Sequence, residues 1–149
     1  MNILISACLL GIPCKYSGGA NTCPALVEAV QAGAQHFVPV CPEVYGGLPT
    51  PRPPAERRGD KVFAKTGQEV TGAFARGAAA ALQLARLTGC TAAILKANSP
   101  SCGYGQIYDG SFTGQKCPGH GLTAALLMAN GIAVYNEENF AALLGGSSL

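Results

Sequence analysis

The chain reads as an α/β protein: a single Rossmann-like domain, its mostly parallel sheet flanked by helices, with a small β-hairpin insertion. Three observations predict this. Short, apolar, β-branched runs recur along the sequence, and each is closed by a Gly/Pro-rich turn. Stretches with apolar residues at helical spacing lie between them. Strands that alternate with helices pair in parallel through right-handed crossovers. The 149 residues suit one domain with a proper core, and residues 1–149 are expected to form it, without internal repeat or linker.

Residues 2–7 are the first expected strand, closed by Gly11 and Pro13. Residues 24–34 read as a helix: Pro24 suits its first turn, Leu26, Val27 and Val30 share a face, and Gly33 lies near its end. Residues 37–40 are the second strand. The segment 46–54 is too rich in Gly and Pro for either element and reads as a stiff loop of the kind that often carries function. Residues 62–65 and 68–70 suggest a hairpin turning at Thr66-Gly67. Residues 72–88 give the strongest helix, with Phe74, Ala78, Ala81, Leu82 and Ala85 on one face and Gly89 as its stop. A third core strand at 91–95 precedes a Gly/Tyr-rich loop running to Gly119. A helix at 122–129, a strand at 132–135 and a short helix at 137–144, capped by Asn136, complete the chain.

Ten Lys and Arg against eight Asp and Glu give a net charge of +2, far from the basic balance of a general nucleic-acid binder. Arg57-Arg58 is the densest basic pair and reads as a solvated loop. No run approaches the roughly 20 apolar residues of a membrane span. Ile5-Ser6-Ala7-Cys8 loosely mimics a lipoprotein cleavage box, but no basic stretch precedes it and the apolar run is too short. Seven cysteines, an odd number, argue against a disulfide framework. A cytoplasmic setting is expected, where clustered thiols serve metals or catalysis more often than disulfides.

Cys8, Cys41 and Cys102 each stand where an apolar strand-like run gives way to a turn. Residues just past the carboxyl ends of parallel strands converge on one rim, where ligands bind in open α/β sheets. A lone buried cysteine is usually a small hydrophobe. Three thiols meeting at one rim instead suit a metal centre that keeps one coordination position free. That arrangement suits a catalyst.

The motifs Ser6-Ala7-Cys8-Leu9-Leu10-Gly11, Pro39-Val40-Cys41-Pro42-Glu43 with Gly46-Gly47-Leu48-Pro49-Thr50-Pro51-Arg52, and Ser99-Pro100-Ser101-Cys102-Gly103 closely resemble one family. It is the small bacterial family called domain of unknown function 523, whose characterised members are 2-thiouracil desulfidases. Thr71-Gly72-Ala73-Phe74, Ile107-Tyr108-Asp109-Gly110 and Thr123-Ala124-Ala125-Leu126-Leu127 extend the resemblance over nearly the whole chain.

The resemblance implies a 4Fe-4S cluster on Cys8, Cys41 and Cys102, with one iron open to a thiocarbonyl sulfur. It implies non-redox conversion of 2-thiouracil, or a related thiopyrimidine, and water into uracil and hydrosulfide. Glu43 would be the acid–base carboxylate, with Ser101 or Ser99 in support. Gly103 and Gly105 are expected to turn backbone N–H groups toward the cluster. Arg52 and Lys96 are candidates for substrate or cluster support, and Cys14 for a structural place beside the site. His120 and Ser17 stand where the family more often has acidic residues, and His120 is expected to stay outside the chemistry. Two rival readings are a structural zinc or thiol-redox protein, weakened by the missing Cys-x-x-Cys, and a module acting on thiolated tRNA, weakened by the small net charge.

Overall fold

The computed structural model describes residues 1–145; the end of the expected domain, 146–149, lies outside the described residues. In chain order the elements are β1 (Asn2–Ser6), α1 (Pro24–Ala32), β2 (His36–Val40), α2 (Pro42–Tyr45), β3 (Ala55–Arg58) and β4 (Lys61–Ala64). There follow α3 (Thr71–Leu87), β5 (Cys90–Ile94), β6 (Gln106–Tyr108), β7 (Lys116–Pro118), α4 (Leu122–Ala129) and β8 (Ala133–Tyr135). Short 3-10 turns occupy Ala7–Leu10 and Phe140–Ala142.

Four strands form a parallel sheet in the order β2-β1-β5-β8, as the alternation of elements predicts. Successive side chains of a strand face opposite ways. Leu4 therefore joins a core with Ala81, Leu82 and Ala85 of α3 and Ala124 and Leu127 of α4. Ile3 and Ile5 join the opposite core with Leu26 of α1 and Phe140. All five apolar residues expected on the inner face of α3 are buried. Pro24 opens α1 and Gly33, at φ +75, closes it. The chain leaves β1 toward β2 and leaves β5 toward β8, so the connections diverge between the two central strands. At the carboxyl ends such a switch point leaves a crevice.

The one-turn helix α2 was not anticipated, because four residues carry no periodicity. Its position is fixed by backbone contact with α3. A Cβ on Gly46 would lie 1.9 Å from the Ala73 carbonyl oxygen, and one on Gly77 would lie 1.8 Å from that of Pro42. Only glycine permits this approach, which holds residues 42–46 against the longest helix.

The insertion differs from the expected hairpin. Residues 68–70 do pair weakly with β4, through Ala64 N–H to Gln68 O and Val70 N–H to Val62 O. The main partner of β4 is β3, antiparallel across the turn at Gly59-Asp60. Arg57 and Arg58, read as a solvated loop, belong instead to β3 through pairing with Val62 and Lys61; Arg58 is exposed, and both guanidiniums reach a second segment. Arg57 donates to the carbonyl of His120. Arg58 donates to the carbonyl of Gly110 at 2.8 Å and lies over the Phe63 and Phe112 rings. That segment, read as loop, contains the β6–β7 ribbon and is anchored by Glu56 Oε1, which accepts from Gly110 and Phe112 N–H. The expected helix at 137–144 is a single 3-10 turn, although Asn136 Oδ1 does accept from Glu138 and Asn139 N–H. Among the described residues no helix is long and apolar enough to cross a membrane.

Replacing Gly77 by Ala in the middle of a helix ordinarily stabilises by about 1 kcal/mol. Here the added methyl meets the Pro42 carbonyl, and the net effect should be destabilisation by about 1–3 kcal/mol. A rise in the thermal unfolding midpoint of Gly77→Ala would contradict the backbone contact.

Candidate active site

The sheet order sets three adjacent strands, β2, β1 and β5, side by side. Cys8 lies in the turn after β1, Cys41 between β2 and α2, and Cys102 in the loop after β5. All three line one pocket at the carboxyl rim, with a cavity volume of about 70 Å³. Glu43, Arg52, Ser101 and Cys14 line it as well, so the structure brings together most of the residues singled out from sequence.

Glu43 is held through both carboxylate oxygens. Arg52 Nε donates to Oε1 at 3.0 Å, and Ser101 Oγ donates to Oε2 at 2.8 Å. The buried Arg52 guanidinium also donates to the carbonyls of Pro49 and Cys14 and to Thr50 Oγ1. One cation thus joins the proline-rich loop, the Cys14 segment and α2. Ser99 Oγ accepts the Cys102 N–H at 2.7 Å and lies 3.3 Å from Ser101 Oγ. Ser99 therefore shapes the loop, while Ser101 faces the pocket. Gly121 packs so closely on this loop that a Cβ there would lie 2.4 Å from the Ser101 carbonyl carbon.

Burial disfavours the charged form of a thiol. It raises the Cys8 pKa above 9.0, against the pull of a hydrogen bond from Asn21. It pushes Cys102 up to about 12, opposed first by the hydrogen bond from Ser6. Cys14 is likewise pushed up to about 12, first by burial and then by the neighbouring Cys41. Metal ligation must displace these protons.

Lys96 reaches the rim as expected, where its Nζ pairs with Glu137 Oε2 at 2.7 Å. It lines an adjoining pocket that shares Glu43, Lys15 and Tyr16 with the thiol pocket. Cys14 contributes a buried thiol, and its carbonyl accepts from Arg52 and from the Cys41 thiol. Cys23, Cys90 and Cys117 stay outside the pocket. His120 also stays away: its Nδ1 accepts the Gly105 N–H and its ring lies 5.0 Å from that of Tyr104. The expected amide donors are committed elsewhere, Gly103 N–H to Ser99 O and Gly105 N–H to His120. Side chains replace them, Ser6 at Cys102 and Asn21 at Cys8. Ser6 was visible as the one hydroxyl in the apolar run 3–7, whereas Asn21 carried no sequence signal.

The switch-point rim thus gathers three unpaired thiols beside a clamped carboxylate and a serine, a setting that suits a thiolate-held metal centre. Among the described residues no three His, Cys, Asp or Glu groups gather tightly enough to hold a single metal ion. Cys8, Cys41 and Cys102 line one pocket with no disulfide among them, a donor set that suits a sulfur-loving centre. The 2-thiouracil desulfurase family model matches residues 3–139, and the chain belongs to that family. It is 41% identical over 146 residues to the uncharacterized protein YbbK of Bacillus subtilis (strain 168), covering 91% of this chain and 95% of that one. A solved structure described as the 4Fe-4S-dependent thiouracil desulfidase TudS superposes with a TM-score of 0.91. That protein is 45% identical, with 99% of this chain and 97% of the other covered.

Metal-free protein should lose stability as pH rises from 9.0 toward about 12, since folded Cys14 and Cys102 keep protons there that the unfolded chain releases. Cys102→Ala should flatten that decline, as read from urea midpoints against pH; an unchanged slope would remove Cys102 from the effect.

Proposed function

We propose that the chain is a single desulfidase domain that converts 2-thiouracil, or a related thiopyrimidine, and water into uracil and hydrosulfide. The observation that carries this reading is the shared pocket of Cys8, Cys41 and Cys102 with Glu43 and Ser101. Family membership and the likeness to a 4Fe-4S-dependent thiouracil desulfidase support it. Cys8, Cys41 and Cys102 would hold the 4Fe-4S cluster: the donor set is all sulfur and the thiols are unpaired. When bound, a cluster with three protein ligands supplies an open iron that prefers sulfur to oxygen and draws electron density from a C=S bond.

The protein supplies the proton chemistry. Water adds a C–O bond, the C–S bond breaks, and sulfur leaves as hydrosulfide with no net oxidation. Glu43 is the base. Arg52 keeps its carboxylate in place, and Ser101, already donating to Oε2, turns its oxygen lone pairs toward the pocket. A water proton accepted at Ser101 Oγ can pass, as the serine gives up its own, to Glu43. The same carboxyl group then returns the proton to a ring nitrogen or to the departing sulfur. Ser99 holds the loop behind Ser101. Lys96, Lys15 and Tyr16 stand where the substrate would enter.

A net charge of +2 favours a small-molecule substrate over nucleic acid. Reduced thiols favour a cytoplasmic setting. The zinc or thiol-redox reading lacks a Cys-x-x-Cys spacing, and family membership supports the desulfidase reading over it.

Anaerobically reconstituted protein should be brown, hold about four irons per chain and release sulfide from 2-thiouracil. Colourless, iron-free protein after reconstitution would overturn the reading. Glu43→Gln should keep the cluster's absorption and lose turnover by about 100-fold or more. Retained turnover would remove Glu43 from the proton path.

A further inference from the structure

Two of the three rim thiols carry a neutral side-chain donor directed at sulfur, and in each case the surroundings fix which atom donates. Ser6 is the last residue of β1 and is 2% exposed, a hydroxyl at the end of an otherwise apolar strand. Its oxygen accepts the Lys96 backbone N–H at 2.9 Å, which uses a lone pair and leaves its single proton free. That proton points at Cys102 Sγ, 3.4 Å away. Ser101 Oγ lies 3.7 Å from the same sulfur, but its proton goes to Glu43 Oε2 at 2.8 Å. Ser6 is therefore the hydroxyl whose proton belongs to Cys102.

Asn21 makes the matching contact at Cys8. Its amide could be assigned two ways, because the nitrogen and oxygen look alike. The neighbours decide. Lys15 Nζ, which can only donate, lies 3.5 Å from Oδ1, so the NH₂ group is the end 3.4 Å from Cys8 Sγ. The Asn21 N–H also donates to the Cys8 carbonyl at 2.9 Å, which ties both ends of the residue to the ligand it serves. Cys41 has a different setting: its thiol faces the Cys14 carbonyl at 3.6 Å and lies beside the Cys14 thiol.

We propose that Ser6 and Asn21 are positioning residues for the cluster. Their hydrogen bonds to the Cys102 and Cys8 sulfurs set the ligand orientations and stabilise the cluster's more reduced charge state. This rests on the cluster reading of the site. A donor at a ligand sulfur stabilises added electron density there, so removing it moves the reduction potential to more negative values and weakens iron retention.

The experiment uses anaerobically reconstituted wild type, Ser6→Ala, Asn21→Ala and the double variant. Asn21 is only half-buried, so its replacement does not threaten the fold as a change in β1 can. Each single variant should take up a full complement of iron, show a more negative cluster potential by redox titration, and lose iron to a chelator about 10–100-fold faster. The two potential shifts should add in the double variant, since the residues serve different sulfurs. Ser6→Thr, which keeps the hydroxyl, should return the potential to the wild-type value. Clusters with unmoved potentials in both single variants would overturn the inference, and so would a shift in Ser6→Thr as large as in Ser6→Ala. Failure of the wild type to take up a cluster would instead overturn the reading of the site, and this inference with it.

Discussion

The carboxylate of Glu43, held by Arg52 at one oxygen and Ser101 at the other, is the interaction on which the site depends. A partly buried carboxylate needs hydrogen bonds to replace lost water. Each partner belongs to a different piece of chain. Arg52 comes from the proline-rich loop and also binds the Cys14 carbonyl; Ser101 comes from the loop after β5, next to Cys102. Glu43 itself stands two positions past Cys41. Satisfying one anion thereby fixes the loops carrying Cys14, Cys41 and Cys102 against one another. The glycine contact between α2 and α3 gives this clamp a rigid support, because residues 42–46 rest on the backbone of a buried helix.

What the sequence made legible follows from which signals are local. Buried parallel strands announce themselves as short β-branched runs, and parallel pairing sends their carboxyl ends to one rim. Cys8, Cys41 and Cys102 could therefore be grouped without any distance. Proline and glycine likewise bracket α1 correctly, since both act through the backbone at their own position. The missed features depend on partners distant in the chain. Arg57 and Arg58 resemble a solvated pair until the carbonyls of His120 and Gly110 are beside them. The β6–β7 ribbon has too few residues for a visible alternation, and Glu56 anchors it from 54 positions away. Asn21 is an ordinary loop residue until Cys8 and Lys15 flank it.

The same division explains why the glycines of the 99–105 segment misled. Flexible backbone beside a ligand sulfur suggested amide donors, yet each amide has a nearer duty. Gly103 closes its own turn on Ser99, and Gly105 is taken by His120. The sulfurs are served from the strand core and from the Cys14–Asn21 loop instead. Ser6 is held by packing within the sheet, and Asn21 by its own backbone hydrogen bond to the Cys8 carbonyl.

The pocket thus has two chemically distinct walls. One is sulfur, where burial makes Cys8 and Cys102 hold their protons tightly. The other is oxygen and nitrogen: a carboxylate that accepts from a guanidinium at one oxygen and from a hydroxyl at the other. A thiocarbonyl presents the same division, a soft sulfur on a carbon that must receive a hard oxygen. Cys102 and Ser101 are adjacent in sequence with Sγ and Oγ 3.7 Å apart, so the two chemistries meet across a single peptide bond. A sheet whose connections diverge at the β1–β5 crevice can bring both walls to one point while keeping each anchored in a different part of the fold.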